Sequence, residues 1–236
     1  LEPFLRNFPG RKLIVSESTS ALMTRGYYEM PSDHIYIRPE SWDKPFEAPE
    51  HVCSSYDNCH VPWGSMHEKT WHLVKTLPHV SGLFVWTGFD YLGEPTPYWW
   101  PSRSSFFGIV DLAGFPKDVY YMYKSEWTDE PVLHIFPHWN WKEGERVDIW
   151  AYYNNADEVE LYLNGKSLGV RQKTDSTYHV SWRVPFTPGT LRAVSRLGGK
   201  EVLVKEIHTA GEPARLVLTP DRSVIQADGS DLSFVT

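Results

Sequence analysis

The sequence predicts a multidomain, β-rich fold that starts with part of an α/β barrel and continues into β-sandwich structure. Two apolar runs, residues 12–17 and 82–86, each end in a polar loop, and a segment of helical periodicity separates them. Strand, helix and strand in this order form the repeating unit of an α/β barrel. From Val132 the pattern changes to short alternating segments divided by turn residues, which is typical of a sandwich.

The first run, Lys-Leu-Ile-Val-Ser-Glu over residues 12–17, ends in a carboxylate and passes into the small polar stretch 18–21. A buried parallel strand presents a catalytic group in this way at the mouth of an α/β barrel. Glu17 is therefore the first candidate for chemistry. A carboxylate that caps the following turn or pairs with Arg25 is the competing interpretation.

The second run, Gly-Leu-Phe-Val-Trp over residues 82–86, leads into a loop rich in glycine, proline and carboxylates. Between the two runs, Trp71, Val74 and Leu77 recur at helical spacing until Pro78 ends the pattern. We therefore expect a helix over residues 68–77 that connects two neighbouring parallel strands.

A long proline-rich segment from Met30 to Pro62 shows little periodicity, and an insertion of this kind at the C-terminal face of a barrel usually shapes the site. Cys53 and Cys59 lie there, near two histidines, which raises the hypothesis of zinc. The paired C-x2-C or H-x3-H spacing of a structural zinc site is absent, so no metal is expected. A disulfide between the two cysteines stays open.

The sandwich is predicted from short strands of alternating polarity with turn residues between them. Asn164-Gly165 directly follows one strand and is a hairpin signal. Tryptophans here could form a carbohydrate-binding face, although burial statistics favour core positions for Trp139, Trp141, Trp150 and Trp182. The predicted strands cover residues 147–152, 158–163, 178–184 and 190–195.

A third part starts after Gly211-Glu-Pro213, where Ala214 to Pro220 resembles a fresh strand and residues 225–234 continue the pattern. Twenty-odd residues cannot close a sandwich without leaving exposed edges. We therefore expect the start of a further immunoglobulin-like domain, truncated, in a chain that is a slice of a longer polypeptide.

Three blocks in this order resemble glycoside hydrolase family 2, and most closely its bacterial β-galactosidases with extra C-terminal sandwich domains. The blocks are residues 15–27, residues 82–97 and Ser-Ser-Phe-Phe-Gly-Ile-Val-Asp-Leu-Ala-Gly-Phe-Pro-Lys-Asp over residues 104–118. The resemblance implies the C-terminal part of a (β/α)8 TIM barrel, with its last two strands, over residues 1–130. An immunoglobulin-like β-sandwich would then occupy 131–211 and the start of a second one 212–236.

The same resemblance implies a retaining glycosidase that removes terminal β-linked galactose, with Glu17 as the nucleophile. Retention needs a second carboxyl group about 5 Å away as acid and base. In the family this group belongs to an Asn-Glu pair, and no Asn in this sequence is followed by Glu. The acid/base is thus expected outside this chain, since Asp90 and Glu94 follow a neighbouring strand and lack the geometry across the site.

Further site residues are expected around the second strand. Trp86 holds the position of the family's sugar-stacking aromatic, against the alternative of a barrel-filling side chain. Asp90, Tyr91 and Glu94 could accept hydrogen bonds from sugar hydroxyls, while Asp90 could equally hold its loop to backbone amides. The loops that shape the site add three weaker candidates, namely Arg25, Tyr27 and Asp57.

Composition limits the partners. A net charge of −7 without a basic stripe argues against nucleic acid, and no apolar stretch approaches the roughly 20 residues that cross a membrane. We expect a carbohydrate substrate, no cofactor, and the rest of the same polypeptide as partner, with a homo-oligomer left open. A periplasmic or extracellular address is favoured over a cytoplasmic one.

Two other functions remain open. The chain could be a non-catalytic carbohydrate-binding or structural module derived from the family, and its absent acid/base residue is the discriminating feature. A β-glucuronidase or β-mannosidase would keep the chemistry and change the sugar. A glucuronidase needs cations for the sugar carboxylate, whereas the loop with Glu94 offers the opposite sign.

Overall fold

The computed structural model describes residues 2–41, 46–47 and 50–236. Within these ranges the chain forms three helices and eleven strands. In chain order they are α1 (Glu2–Asn7), β1 (Leu13–Thr19), β2 (Tyr36–Ile37), β3 (Cys59–His60), α2 (His67–Thr76), β4 (Val80–Trp86), α3 (Asp118–Trp127), β5 (Leu133–Phe136), β6 (Arg146–Tyr153), β7 (Glu158–Leu163), β8 (Lys166–Arg171), β9 (His179–Pro185), β10 (Thr190–Leu197) and β11 (Lys200–His208).

Strands β1 and β4 are parallel neighbours, and α2 connects to β4. This confirms the predicted order of strand, helix and strand, with α2 one residue earlier than expected. Val74 is the buried residue of the predicted apolar face. Ile14 and Phe84 project from the pair into solvent in this chain. The complete barrel stays a prediction.

The segment from Met30 to Pro62 has little regular structure in its described part, as expected; residues 42–45 and 48–49 of this segment lie outside the described ranges. Its two short strands, β2 and β3, pair in parallel. Residues 53–58 form a loop that leads into β3, and residues 53–59 are all buried. Their backbone is held by hydrogen bonds to the chain that follows β1, including Leu22 N to Cys59 O (2.8 Å) and Thr24 N to Cys53 O (2.9 Å).

A three-stranded sheet, β5-β6-β9, and a four-stranded sheet, β11-β10-β7-β8, form a β-sandwich. In β9 the buried positions alternate with exposed ones, so Val180, Trp182 and Val184 point into the core. That core also holds residues of β5, β6, β7 and β10. Asn164 and Gly165 both have positive φ and form the predicted two-residue turn between β7 and β8.

A second apolar cluster joins the sandwich to the preceding part of the chain. Aromatic residues of the sheet β5-β6-β9 pack there against α3 and against the segment after β1. Its buried members are Ala21, Met23, Tyr56, Val119, Met122, Tyr123, Phe136, Trp150, Tyr152 and Tyr178. The Tyr56 hydroxyl also donates a hydrogen bond to the Asp148 carbonyl in β6. The two parts therefore share one interior.

The strand expected over Ala214–Pro220 is not formed. These residues are exposed, with Leu216 at 94% exposure, and the only pairing in this part of the described chain is an isolated bridge between Pro220 and Val235. A strand requires a neighbouring strand for its backbone hydrogen bonds. The further sandwich domain over residues 212–236 thus remains a prediction.

None of the described helices combines the length and apolar character needed to cross a membrane.

Candidate active site

Glu17 lies at an irregularity of β1. Val15 pairs with Leu83 and Ser18 with Val85, so β1 advances by three residues where β4 advances by two. Such a bulge changes the direction of the side chain it carries and is common beside active sites. The Glu17 side chain is exposed, and its carboxylate makes no hydrogen bond or ion pair with the rest of the described chain. It is thus free for a ligand.

The turn after β1 is strained. Thr19 and Ser20 have φ of 79° and 52°, a region that L-residues other than Asn and Asp rarely adopt, yet both are buried. The loop before α2 fixes this turn, because Ser65 N donates to Thr19 O (2.7 Å) and Val61 N to Ser20 O (3.3 Å). Strain of this kind collects at functional sites.

Trp86 ends β4 and pairs with Thr19, so it lies next to the end of the strand that carries Glu17. Its half-buried ring meets the Tyr91 ring edge-on, with 5.9 Å between ring centroids. The Tyr91 hydroxyl donates to the Glu94 carboxylate. Burial, then this bond and the charge of Glu94, raise the pKa of Tyr91. The structure thus groups three predicted site residues, namely Trp86, Tyr91 and Glu94.

The Asp90 side chain faces the protein interior and holds its own loop to a backbone amide, which is the second of the two roles considered for it. One carboxylate oxygen accepts a hydrogen bond from Gly108 N (2.8 Å), and the other pairs with Lys117 Nζ (2.7 Å). Both groups belong to the protein interior, since the Asp90 side chain is 9% and the Lys117 side chain 1% exposed. The structure therefore gives no support to a sugar-binding role for Asp90.

Arg25 does not pair with Glu17. Its guanidinium bonds Asp111 (2.6 Å) and lies over the Phe115 ring. The competing interpretation of Glu17 as a partner of Arg25 is thus wrong. Tyr27 is half-buried, and burial, followed by Glu29, raises its pKa.

Asp57 has a structural role that the sequence does not predict. Its two carboxylate oxygens accept hydrogen bonds from His67 N (2.8 Å) and Glu68 N (2.7 Å), the first residues of α2. A carboxylate stabilises a helix at this end. Burial and then the charge of Glu68 raise the pKa of Asp57 to about 7.

The cysteine loop holds free thiols. Cys53 and Cys59 are both buried and unbonded to each other as a disulfide. Of the nearby histidines, His51 bonds the Ser102 hydroxyl and His60 the Val61 carbonyl. The described residues contain no group of three or more His, Cys, Asp or Glu arranged to hold a metal ion.

The tryptophans of the sandwich are mainly core residues, as burial statistics favoured. Trp139, Trp150 and Trp182 are 0–6% exposed and Trp141 is half-buried. Each of their indole N–H groups has an acceptor inside the protein. Trp139 donates to Thr187 O, Trp150 to Ser32 Oγ, Trp182 to Gly169 O and Trp141 to His138 O. A carbohydrate-binding face built from them is therefore not present.

Two residues important for this region were missed. The burial of Lys117 could not be predicted, because a lone lysine carries no sequence signal for burial. Gly64 was overlooked because a single glycine in a loop is common. A Cβ at residue 64 would lie 2.5 Å from Thr19 O, so only glycine fits against the strained turn.

Known proteins match this chain over nearly its whole length. It is 63% identical over 230 residues to the β-galactosidase BoGH2A of Bacteroides ovatus, which covers 98% of this chain and 27% of that protein. It is 28% identical over 244 residues to a β-glucuronidase of Formosa agariphila, covering 99% of this chain and 23% of that protein. The chain therefore spans about a quarter of the length of these relatives.

Solved structures agree with these matches. A β-glycosidase from Bacteroides vulgatus superimposes with a TM-score of 0.81 at 33% identity, covering 96% of this chain and 31% of that one. A glycosyl hydrolase family 2 member from Bacteroides cellulosilyticus gives 0.67 at 28% identity, covering 99% and 27%. Residues 144–203, within the sandwich, match a family described as a domain of unknown function, DUF4982. Over nearly its whole length the chain therefore corresponds to part of proteins of glycoside hydrolase family 2.

Proposed function

We propose that the protein containing this chain hydrolyses terminal β-linked galactosides with retention, and that Glu17 is the nucleophile. The observation that carries the proposal is the unpaired Glu17 carboxylate beside the end of β4, where Trp86 lies. The name of the β-galactosidase that is 63% identical supports galactose as the sugar. Residues 1–130 would supply the last two strands of a (β/α)8 barrel. Residues 131–211 would be an immunoglobulin-like sandwich and 212–236 the start of another.

In this mechanism the Glu17 carboxylate attacks the anomeric carbon while an acid protonates the leaving oxygen. The glycosyl-enzyme is then hydrolysed by water, which the same second group activates as a base. The chain contains no Asn-Glu pair to supply that group. We therefore assign the acid/base to a part of the polypeptide outside this chain, about 5 Å from Glu17 in the complete site.

Trp86 would stack on the apolar face of the sugar ring, as a large aromatic can. Tyr91 and Glu94 would bond sugar hydroxyls at the edge of the same pocket. Because the Tyr91 hydroxyl already donates to Glu94, the pair presents lone pairs that accept hydrogen bonds from hydroxyl groups. Arg25 and Tyr27 stay weaker candidates of the surrounding loops.

A β-glucuronidase is the second candidate, because one relative that covers 99% of this chain carries that name. A glucuronide brings a carboxylate that needs a cation. Arg25, the cation among the candidate residues, is already paired with Asp111, and Glu94 is negative. This charge distribution favours a neutral sugar.

Glu17→Gln in the full-length protein tests the proposal. The change keeps the shape and removes the attacking charge, so turnover of a chromogenic β-galactoside should fall by orders of magnitude while the unfolding temperature stays near wild type. Glu143→Gln, at an exposed position before β6, is the matched control and should keep full turnover. Wild-type turnover in Glu17→Gln would refute the assignment of Glu17 as the nucleophile. Faster hydrolysis of the β-glucuronide than the β-galactoside by wild type would refute galactose, and inactivity on all glycosides would favour a binding or structural module.

A further inference from the structure

Asp90 and Lys117 form a buried ion pair behind the candidate site. The Lys117 side chain is 1% exposed, and its Nζ lies 2.7 Å from the Asp90 carboxylate. Burial lowers the pKa of Lys117 and raises that of Asp90, and each partner opposes the shift of the other. Buried charges are tolerated only when they are paired and hydrogen-bonded, so this pair needs a structural explanation.

The contacts of the pair join three segments of the chain. Lys117 Nζ donates to Met23 O (2.8 Å) in the segment after β1, and it lies 3.5 Å from Phe106 O. Asp90, in the loop after β4, accepts from Gly108 N (2.8 Å). The pair therefore connects the continuations of both parallel strands through a single ammonium group.

These continuations are also tied to the residues of the candidate site. Thr87, which follows Trp86, donates its N–H to Phe107 O (3.2 Å) and accepts from Ile109 N (3.0 Å). Met23 N donates to Phe106 O (2.9 Å). Residues 106–109 are thus a shared support for the chain that leaves Glu17 and the chain that leaves Trp86.

We propose that the Asp90–Lys117 pair is a positioning device that sets the placement of Trp86 relative to Glu17. The inference rests on the proposed function and adds residues that contact no sugar. A misplacement of about 1 Å between a nucleophile and its substrate can reduce a rate about a hundredfold. A pair that ties together the chain segments following both strands opposes such a displacement.

Lys117→Met in the full-length protein is the first test. It keeps an apolar stem and removes the three donors, so Met23 O loses its ammonium partner, while Phe106 O keeps the hydrogen bond from Met23 N. We expect kcat on a chromogenic β-galactoside, per folded molecule, to fall at least about tenfold while KM changes less than about threefold. Lys75→Met makes the same substitution in a lysine–carboxylate pair away from the strand ends, between α2 and Glu126, where the lysine is 54% exposed; it is the control and should leave kcat unchanged.

The double variant Asp90→Asn, Lys117→Met separates positioning from stability. In Lys117→Met alone, the Asp90 carboxylate stays buried without a cation. Asp90→Asn removes that unpaired charge, so the unfolding temperature of the double variant should recover. The hydrogen bond from the ammonium group to Met23 O stays lost, so kcat should remain low. Recovery of kcat together with the unfolding temperature would overturn the proposal, because the pair would then act only on stability.

A measurement without turnover distinguishes failure of this proposal from failure of the proposed function. In protein labelled with 5-fluorotryptophan, the fluorine resonance of Trp86, assigned with Trp86→Phe, should shift in Lys117→Met and stay in place in Lys75→Met. An unshifted resonance would overturn the positioning role whatever the substrate is. If Glu17→Gln kept full turnover, the proposed function would fail. A shifted Trp86 resonance in Lys117→Met would still show that the Asp90–Lys117 pair positions Trp86.

Discussion

Thr19 and Ser20 show how contacts from one distant loop can hold an unfavourable backbone conformation. A left-handed conformation costs an L-residue roughly 1–2 kcal/mol, and it persists only where the surroundings over-determine it. Here a hydrogen bond from Ser65 N and the close approach of Gly64 supply that constraint. The end of the strand that carries Glu17 therefore depends on a loop more than forty residues later.

Gly64→Ala tests this dependence. The new Cβ would lie 2.5 Å from Thr19 O and 2.7 Å from Ser20 O, both backbone atoms, so the turn must move. We expect the free energy of unfolding to fall by about 1–3 kcal/mol, and turnover per folded molecule of the full-length protein to fall as well. Gly211→Ala, where a Cβ meets open space, is the control in urea unfolding and kinetic assays. Equal turnover per folded molecule in both variants would contradict a link between the turn and the site.

His67 is a fully buried histidine at the start of α2. Its Nδ1 bonds the Tyr123 hydroxyl (2.8 Å), and its Nε2 has no partner in the described structure. Burial lowers the pKa of His67 to about 3. Between the unfolded value near 6.5 and this folded value, the unfolded chain binds a proton that the folded chain does not. Stability due to His67 is thus lost as the pH falls below about 6.5.

His67→Gln should flatten this acid limb. One proton contributes about 1.4 kcal/mol per pH unit, so the loss of unfolding free energy between pH 6.5 and 4.5 should be smaller by about 2 kcal/mol in the variant. His208→Gln, at an exposed position on β11, is the control. Parallel pH curves for His67→Gln and wild type in denaturant titrations would refute the assignment.

For single residues, the sequence revealed the candidate site residues at strand ends but not the residues that hold these strand ends in place. Glu17 and Trp86 could be placed together because parallel strands end at the same edge. The partner of Asp90 could not be predicted, since Lys117 lies 27 positions later and a buried lysine has no local pattern. The conformation of Thr19 was equally hidden, because strain is imposed by tertiary contacts rather than by the residue itself.

Among the secondary-structure elements, α2 and the strands with an apolar run or an alternating pattern were predicted, whereas β8 and α3 were not. Strand β9 alternates buried and exposed positions, and Asn164-Gly165 marks the turn of the hairpin β7-β8. The edge strand β8 is largely exposed and contains a glycine, so it lacks alternation. Helix α3 was missed because its tyrosines favour strands intrinsically, and packing of Val119, Met122 and Tyr123 overrides that preference.

The hairpin turn gives a prediction about stability alone. Gly165 has a φ of 80°, so Gly165→Ala should lower the free energy of unfolding by about 1–2 kcal/mol. Gly165→Asn should cost less, because Asn tolerates this conformation better. Calorimetry on both variants measures the difference, and kcat should equal wild type in each. Identical unfolding temperatures for the two variants would contradict the role of the turn.

For the whole molecule, the decisive feature is the apolar cluster that the sandwich shares with α3 and the segment after β1. Met122 and Tyr152 are at most 1% exposed and belong to opposite sides of this cluster. No period within one element could reveal it, because the cluster forms only when distant segments meet. We therefore expect the two parts to unfold together.

Met122→Ala tests this coupling. A cavity in the shared cluster should cost about 2–5 kcal/mol, and amide hydrogen exchange should accelerate by the same factor in β6 and in residues 21–23. Val170→Ala, on the exposed edge strand β8, is the control and should change neither region. Faster exchange confined to α3 and residues 21–23 would show that the sandwich unfolds independently.

The shared cluster also bears on how such proteins could be recombined. A cut near residue 130 looks like a natural joint along the chain, yet it would leave the aromatic face of β5 and β6 facing water on one product and Met23, Val119 and Met122 facing water on the other. A chimera that moves this sandwich onto another enzyme would need the matching residues from both sides. Exchange between relatives would therefore succeed as one block that begins no later than β1.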